Sequence, residues 1–260
     1  MLDPDVNSPP DPQPLVLIPV TAEDAARRKR RILFSVAFAI LAALAVAGYL
    51  YKRYTDPLNA RESLDAGTRS FKIARYNQAI LSFDRAVALK PDLVDAYLMR
   101  GKSYVGQSDP DHALSDFSKV IELRPLDPAG WIARGAAYLD INDFDSAIDD
   151  ANRAIVLGAD ASAYNLRGSA LRKSGDPKKA LDDFNHAVAL DPNPDNYYQR
   201  GATYQLLGEH QLAIEDFTQV IGMIPDLGNA FYARAASRRA VGDLDGARQD
   251  HQQGRILDSR

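Results

Sequence analysis

One small residue recurs along this chain on a fixed stride. Gly67, Gly101, Gly135, Gly168, Gly201 and Ala235 follow one another at intervals of 34 or 33 residues. Twelve positions after each stands an alanine: Ala79, Ala113, Ala147, Ala180, Ala213 and Ala247. Sixteen after stand Phe83, Phe117, Phe184 and Phe217, replaced by Ala151 in the third copy and His251 in the sixth. Four before stand Tyr97, Trp131, Tyr164, Tyr197 and Phe231, with Ser63 in the first copy, and a proline closes four of the copies at Pro91, Pro125, Pro192 and Pro225. A unit this short cannot bury an apolar face by itself, so like units must stack into a repeat array.

The spacing inside one unit specifies two helices. The aromatic residue, the glycine and Tyr104, Tyr138 or Tyr204 fall at i, i+4 and i+7, one stripe of a helix. Alanine, phenylalanine and then Ala86, Ala154 or Ala187 make a second stripe further on. Large side chains on one helix can nest over small ones on the other. Between the helices, Gly106, Gly175, Gly208 and Gly242 are suited to a left-handed helix end. Asp109-Pro110 and Asp176-Pro177 read as a cap followed by a first-turn proline.

On these residues the pattern resembles the tetratricopeptide repeat. The resemblance implies an all-α fold, a right-handed superhelical solenoid of six antiparallel helix pairs, at about 60–93, 94–127, 128–160, 161–193, 194–227 and 228–260. The third unit departs from it, with no phenylalanine and with Gly158-Ala159 where the proline is expected, so the superhelix is expected to bend there.

A second periodicity concerns charge. Arg100, Arg134, Arg167, Arg200 and Arg234 stand just before the small residue, and sixteen positions after them come Asp116, Asp150, Asp183, Asp216 and Asp250. The first unit has neither, carrying Ala66 and Ser82 instead. Because the two appear together or not at all, they are expected to pair across the helix hairpin and fix its register. A row of anion-binding arginines is the competing reading, weakened because a partly buried arginine needs a carboxylate and each one has it.

The region before the repeats reads differently. Residues 1–31 are expected to be a disordered, Pro- and Asp-rich tail ending in the basic cluster Arg27–Arg31, with one apolar run, Leu15–Val20, as a possible short docking motif. Then comes an uncharged stretch, Ile32–Leu50, about 28 Å long as a helix and close to the hydrocarbon thickness of a bilayer. Tyr49, Tyr51 and Tyr54 follow as interfacial aromatics, with only Lys52 and Arg53 as positive charge beyond. Residues 32–54 are therefore expected to be a transmembrane signal anchor and 55–260 the repeat domain. Five basic residues before the span against two after it place the amino terminus in the cytoplasm and the repeats outside. Ala45-Val46-Ala47 also fits a signal-peptide cleavage pattern, which would release a soluble periplasmic domain.

No chemistry stands out. The four histidines, His112, His186, His210 and His251, occupy four different repeat positions, and no metal-protease pair, phosphate loop or nucleophile elbow is present. The chain has no cysteine. Its net charge of −4 over 260 residues argues against a general nucleic-acid binder. Neither an enzyme nor a cofactor or metal is expected, and an active site in the groove is the remote alternative.

Binding is what the geometry offers. The resemblance implies a concave face lined by the first helices, a surface that takes a protein or extended peptide. Applying the register, that face is expected to carry Leu98, Lys102, Ile132, Asp140, Asn165, Arg172, Lys173, Tyr198, Gln205, Tyr232 and Arg239, apolar in the middle and more basic toward the carboxyl end. Tyr198 and Tyr232 on successive ridges are candidates to grip a ligand. Relatives that hold a terminal carboxylate use a lysine three before the glycine and an asparagine one after it. Here those places read Leu98 and Lys102, Ile132 and Ala136, Asn165 and Ser169, so that clamp is absent. The expected function is a membrane-anchored scaffold for envelope protein assembly or secretion, in the periplasm of a bacterium. A cytosol-facing receptor of opposite topology is the alternative, and the oligomeric state is left open.

Overall fold

A computed structural model of the protein describes residues 21–259. Seven of its helices begin where a short polar side chain satisfies a free backbone N–H group. Asp109, Asp127, Asp143, Asp160, Asp176, Asn193 and Asp243 each accept from a backbone N–H two or three residues on. Pro110, Pro128, Pro177 and Pro194, which lack an N–H, occupy the first helical position after four of them.

The resulting elements are α1 (Ala22–Lys72), α2 (Tyr76–Leu89), α3 (Val94–Gly106), α4 (Pro110–Leu123), α5 (Pro128–Asp140) and α6 (Phe144–Val156). They continue with α7 (Ala161–Lys173), α8 (Pro177–Leu190), α9 (Pro194–Leu206), α10 (His210–Met223), α11 (Gly228–Ala240) and α12 (Leu244–Asp258). Residues up to Thr55 and residues from Asp56 onward form separate compact units. From unit two on, each repeat holds one consecutive helix pair, and unit one is made of the last turns of α1 together with α2.

The hairpins turn at one register position, seven after the small residue. There the backbone is left-handed in every unit, at Ala74, Ser108, Asn142, Gly175, Gly208 and Gly242. Gly106 is not among them and serves packing instead. A Cβ added to it would sit 2.6 Å from the Tyr76 ring, so its missing side chain is what admits that ring.

In four of the hairpins the small residue receives the aromatic ring of the second helix. Phe83, Phe117, Phe184 and Phe217 are fully buried. A Cβ on Gly101 would meet the Phe117 ring at 2.6 Å, and one on Gly168 or Gly201 would meet its phenylalanine at 3.1 Å. Unit three solves the same problem differently. Ala151 leaves the slot over Gly135 empty from its own hairpin, and Leu166, reaching from α7 of the next unit, fills it; a Cβ on Gly135 would lie 2.8 Å from that side chain. The turn after α6 also replaces proline with the left-handed Gly158. In unit six, alanine takes the glycine position because exposed His251 no longer presses on it.

The amino-terminal unit differs from its expectation at one edge. Residues 22–31 are helical, within α1, rather than part of a tail. Alanine and arginine are strong helix formers, and Glu23 pairs with Arg27 one turn on at 2.8 Å. The rest of the expected tail, including Leu15–Val20, lies outside the described residues. From Ile32 to Leu50 the large apolar side chains stand exposed, Phe34 and Phe38 by about three quarters. This is the helix among the described residues long and apolar enough to cross a membrane.

Candidate binding groove

The arginine positions come first, because they decide which side chains are free to meet a ligand. In all five units that carry it, arginine Nε donates to Oδ2 of its aspartate at 2.9 Å, and Nη2 donates to Oδ1 at 2.6–2.8 Å. The aspartate side chains are only 3–6% exposed. Each guanidinium also lies over the aromatic ring three residues before it, at 5.2–5.8 Å. Burial pushes the Asp116 carboxyl up against the pull of Arg100, while the same hydrogen bonds hold Arg100 above the ordinary arginine value. The ion pair survives because the bidentate geometry satisfies both groups.

The remaining nitrogen, Nη1, turns to the preceding unit. It donates to Asp84 from Arg100, to Ser118 from Arg134, to Asn152 from Arg167, to Asn185 from Arg200 and to Thr218 from Arg234. These acceptors all follow the phenylalanine position by one residue. Every nitrogen of the arginine row therefore already has a partner within the array.

A second set of junction contacts removes two expected ligand residues from the groove. Arg172 donates to the carbonyl oxygen and Oε1 of Gln199 and to Thr203, and lies 5.3 Å over the Phe184 ring. Burial draws its guanidinium below the usual arginine value. One unit later, Gln205 donates to the Ala233 carbonyl oxygen and to Ser237. Both tyrosines are half-buried and already touch the array. Tyr198 meets Phe217 edge-on at 5.4 Å. Tyr232 donates to Asp258 at 2.7 Å and rests on Gly254, where a Cβ would strike its ring.

The expected residues that do converge belong to units two to four. Leu98, Lys102 and Ile132 line a concavity of 660 Å³ with Ala136 and the turn at Gly158. Ile132 and Ala136 also line an adjoining concavity of 490 Å³, to which Asn165, Leu139 and Leu166 contribute. Asp140 stands apart, in a 300 Å³ cleft with Val105 and Ile141. Arg239 lines a different concavity, with His251 and Arg255. Lys173 is exposed and lines none of these cavities.

The far wall of the paired concavities is acidic rather than basic. Asp160, Asp191 and Asp195 line it, and none of them has a cation within ion-pair distance among the described residues. Hydrogen bonds from the hydroxyl and backbone N–H of Ser162 hold the Asp160 carboxyl below the usual carboxylate range. Asn165 donates to Asp195 at 3.2 Å and to Asn196 at 2.7 Å. Asp160 and Asp191 sit in turns between units, a location that a reading of first-helix faces overlooks. Asp160 shares its place, eight before the small residue, with Asp127 and Asn193, which was an available signal; Asp191 has no such counterpart.

Comparison with known proteins agrees with this geometry. Tetratricopeptide-repeat models match residues 98–165, 161–194 and 194–227. Among solved structures, MamA is 27% identical with a TM-score of 0.55, covering 61% of this chain and 94% of its own. PilW, a widely conserved type IV pilus biogenesis factor, has a TM-score of 0.69 at 18% identity, covering 75% and 91%. YrrB, a tetratricopeptide protein with an unusual peptide-binding site, has a TM-score of 0.53 at 20% identity, covering 67% and 91%. No curated protein matches significantly. The sequence matches run without a gap through units two to five, half of the chain, and the same glycine-to-ring closure extends to unit one, so this protein belongs to the tetratricopeptide-repeat family.

Proposed function

We propose that this protein is a membrane-anchored scaffold that holds a protein or extended peptide along the inner face of its repeats. The observation that carries this reading is the pair of adjoining concavities sharing Ile132 and Ala136, an apolar strip left open after the arginines, Arg172 and Gln205 have been committed to unit junctions. Segment recognition in such a groove uses apolar anchors for affinity and nearby polar groups for selection.

The anchor is the stretch Ile32–Leu50 of α1, preceded by Arg27–Arg31. The bias of basic residues to its amino side supports a cytoplasmic amino terminus and external repeats. A scaffold in that position meets proteins of the cell envelope, which supports a role in their assembly or secretion.

Two measurements test the reading. A photo-crosslinking residue at Ala136 in cells should give discrete adducts, while one at Asp149 on the second helix should not; equal labelling from both, or none from Ala136, overturns the groove. Protease added outside the cytoplasmic membrane should digest a carboxyl-terminal tag. Protection of the tag would transfer the repeats to the cytosol and make the protein a receptor there.

A further inference from the structure

The two concavities carry more carboxylates than cations. Lys102, exposed beside Leu98, shares its concavity with Asp127 and Asp160. The middle is apolar, built from Leu98, Ile132 and Leu166, with Ala136 keeping the floor open. Asp160 lines the second concavity as well, where Asp191 and Asp195 join it. The nearest cation of unit four, Arg172, donates its hydrogen bonds to Gln199 and Thr203 rather than to this wall. The carboxylates instead take hydrogen bonds from neutral groups: Ser162 donates to Asp160, Asn193 to Asp191 and Asn165 to Asp195. Neutral donors hold them in place without an ion pair, and Arg172 acts on Asp195 only at longer range.

An acidic wall without ion pairs next to an apolar strip repels carboxylate-terminated or acidic ligands and selects cations. Resting on the groove reading above, we propose that the occupant is an extended segment of a partner protein in which a large apolar side chain neighbours lysine or arginine. The apolar side chain seats on Leu98 and Ile132, and the cation meets Asp160, Asp191 and Asp195.

The test uses the full chain in lipid nanodiscs and three synthetic nonapeptides with one shared apolar centre, flanked by lysine, glutamine or glutamate. Fluorescence anisotropy at low salt should rank lysine above glutamine by about tenfold, a difference of roughly 1.4 kcal/mol, with glutamate weakest. The double variant Asp160→Asn with Asp195→Asn keeps the helix cap and the bond from Asn165. It should bring the lysine and glutamine peptides within twofold of each other. Equal binding of all three peptides, preference for glutamate, or a lysine preference that survives the double variant overturns the proposal. If those results accompany adducts from Ala136 in cells, the groove stands and only the cation is lost; absence of adducts removes both. Adducts of twice the chain mass would make the occupant a second copy and also overturn it.

Discussion

Units one and two share a hairpin, a glycine under a phenylalanine ring and a left-handed turn residue that is not glycine, yet only unit two carries the buried ion pair. Unit one closes without it, so the pair is not what makes a hairpin. The difference lies in what comes before. Arg100 has a second helix behind it, in unit one, and reaches Asp84 there at 2.6 Å. No repeat precedes unit one in this sequence, and Ala66 and Ser82 stand where the pair would be. The arginine is thus a junction residue whose aspartate holds it in place, and its periodic recurrence counts junctions rather than hairpins.

The largest expected effect comes from breaking a junction. Arg134→Met leaves Asp150 buried and unpaired and should destabilise the repeat domain by about 3–5 kcal/mol in denaturant unfolding. Installing the unit-one residues, Arg134→Ala with Asp150→Ser, removes the stranded charge and should recover at least half of that loss. An equal loss in both variants would show that the carboxylate is not the cost. Next in size is the feature that the two units share. Gly101→Ala drives a methyl group into the Phe117 ring and should cost about 1–3 kcal/mol, and Gly67→Ala should cost as much against Phe83. A clearly smaller penalty in unit one would mean that its hairpin is looser than it looks.

A third change moves stability the other way. Ala74→Gly gives unit one the turn residue of units four to six and should raise stability by about 1 kcal/mol, because alanine holds a positive φ of 54 there. The smallest concerns capping. α3 starts at Leu93 with no side-chain bond, whereas α7 starts at Asp160, which accepts from Ser162. Asp160→Ala makes the later junction like the earlier one and should cost roughly half to one kcal/mol at neutral pH. The folded-state pKa of Asp160 is depressed, so its contribution is present above the ordinary aspartate value of 3.8 and is lost as pH falls through the folded value. Parent and variant stabilities should therefore converge in acid, and a constant gap would remove the carboxylate from the explanation.

Much of the solenoid was legible because its defining contacts lie close in sequence and recur. Gly101 and Phe117, or Arg134 and Asp150, are sixteen positions apart in one hairpin, and five or six copies of the spacing speak together. The junction contacts were hidden by chemistry that varies while function does not. Asp84, Ser118, Asn152, Asn185 and Thr218 share only the ability to accept a hydrogen bond. The turn position was masked in the same way, since Ala74, Ser108 and Asn142 hold it in three units and Gly106 nearby offers a decoy. Arg172, Gln205 and Tyr232 looked like groove residues because a helical register gives a direction but not the reach of a long side chain. The acidic wall escaped because two of its members come from turns, where no helical period applies. The helix over residues 22–31 escaped because a run of like charge reads as a solvated tail, although its residues favour a helix.

The backward reach of each arginine gives the array a direction in time as well as in space. A chain leaving the ribosome or a translocation channel emerges amino end first, one helix after another. The second helix of unit two is complete once Leu123 is out, but the guanidinium that ties it to the rest, from Arg134, arrives only with α5. Units one to five each wait in turn on a successor. Folding then advances as a front trailing the exit point by one helix, and the segment just outside the exit is the one whose apolar stripe is still uncovered.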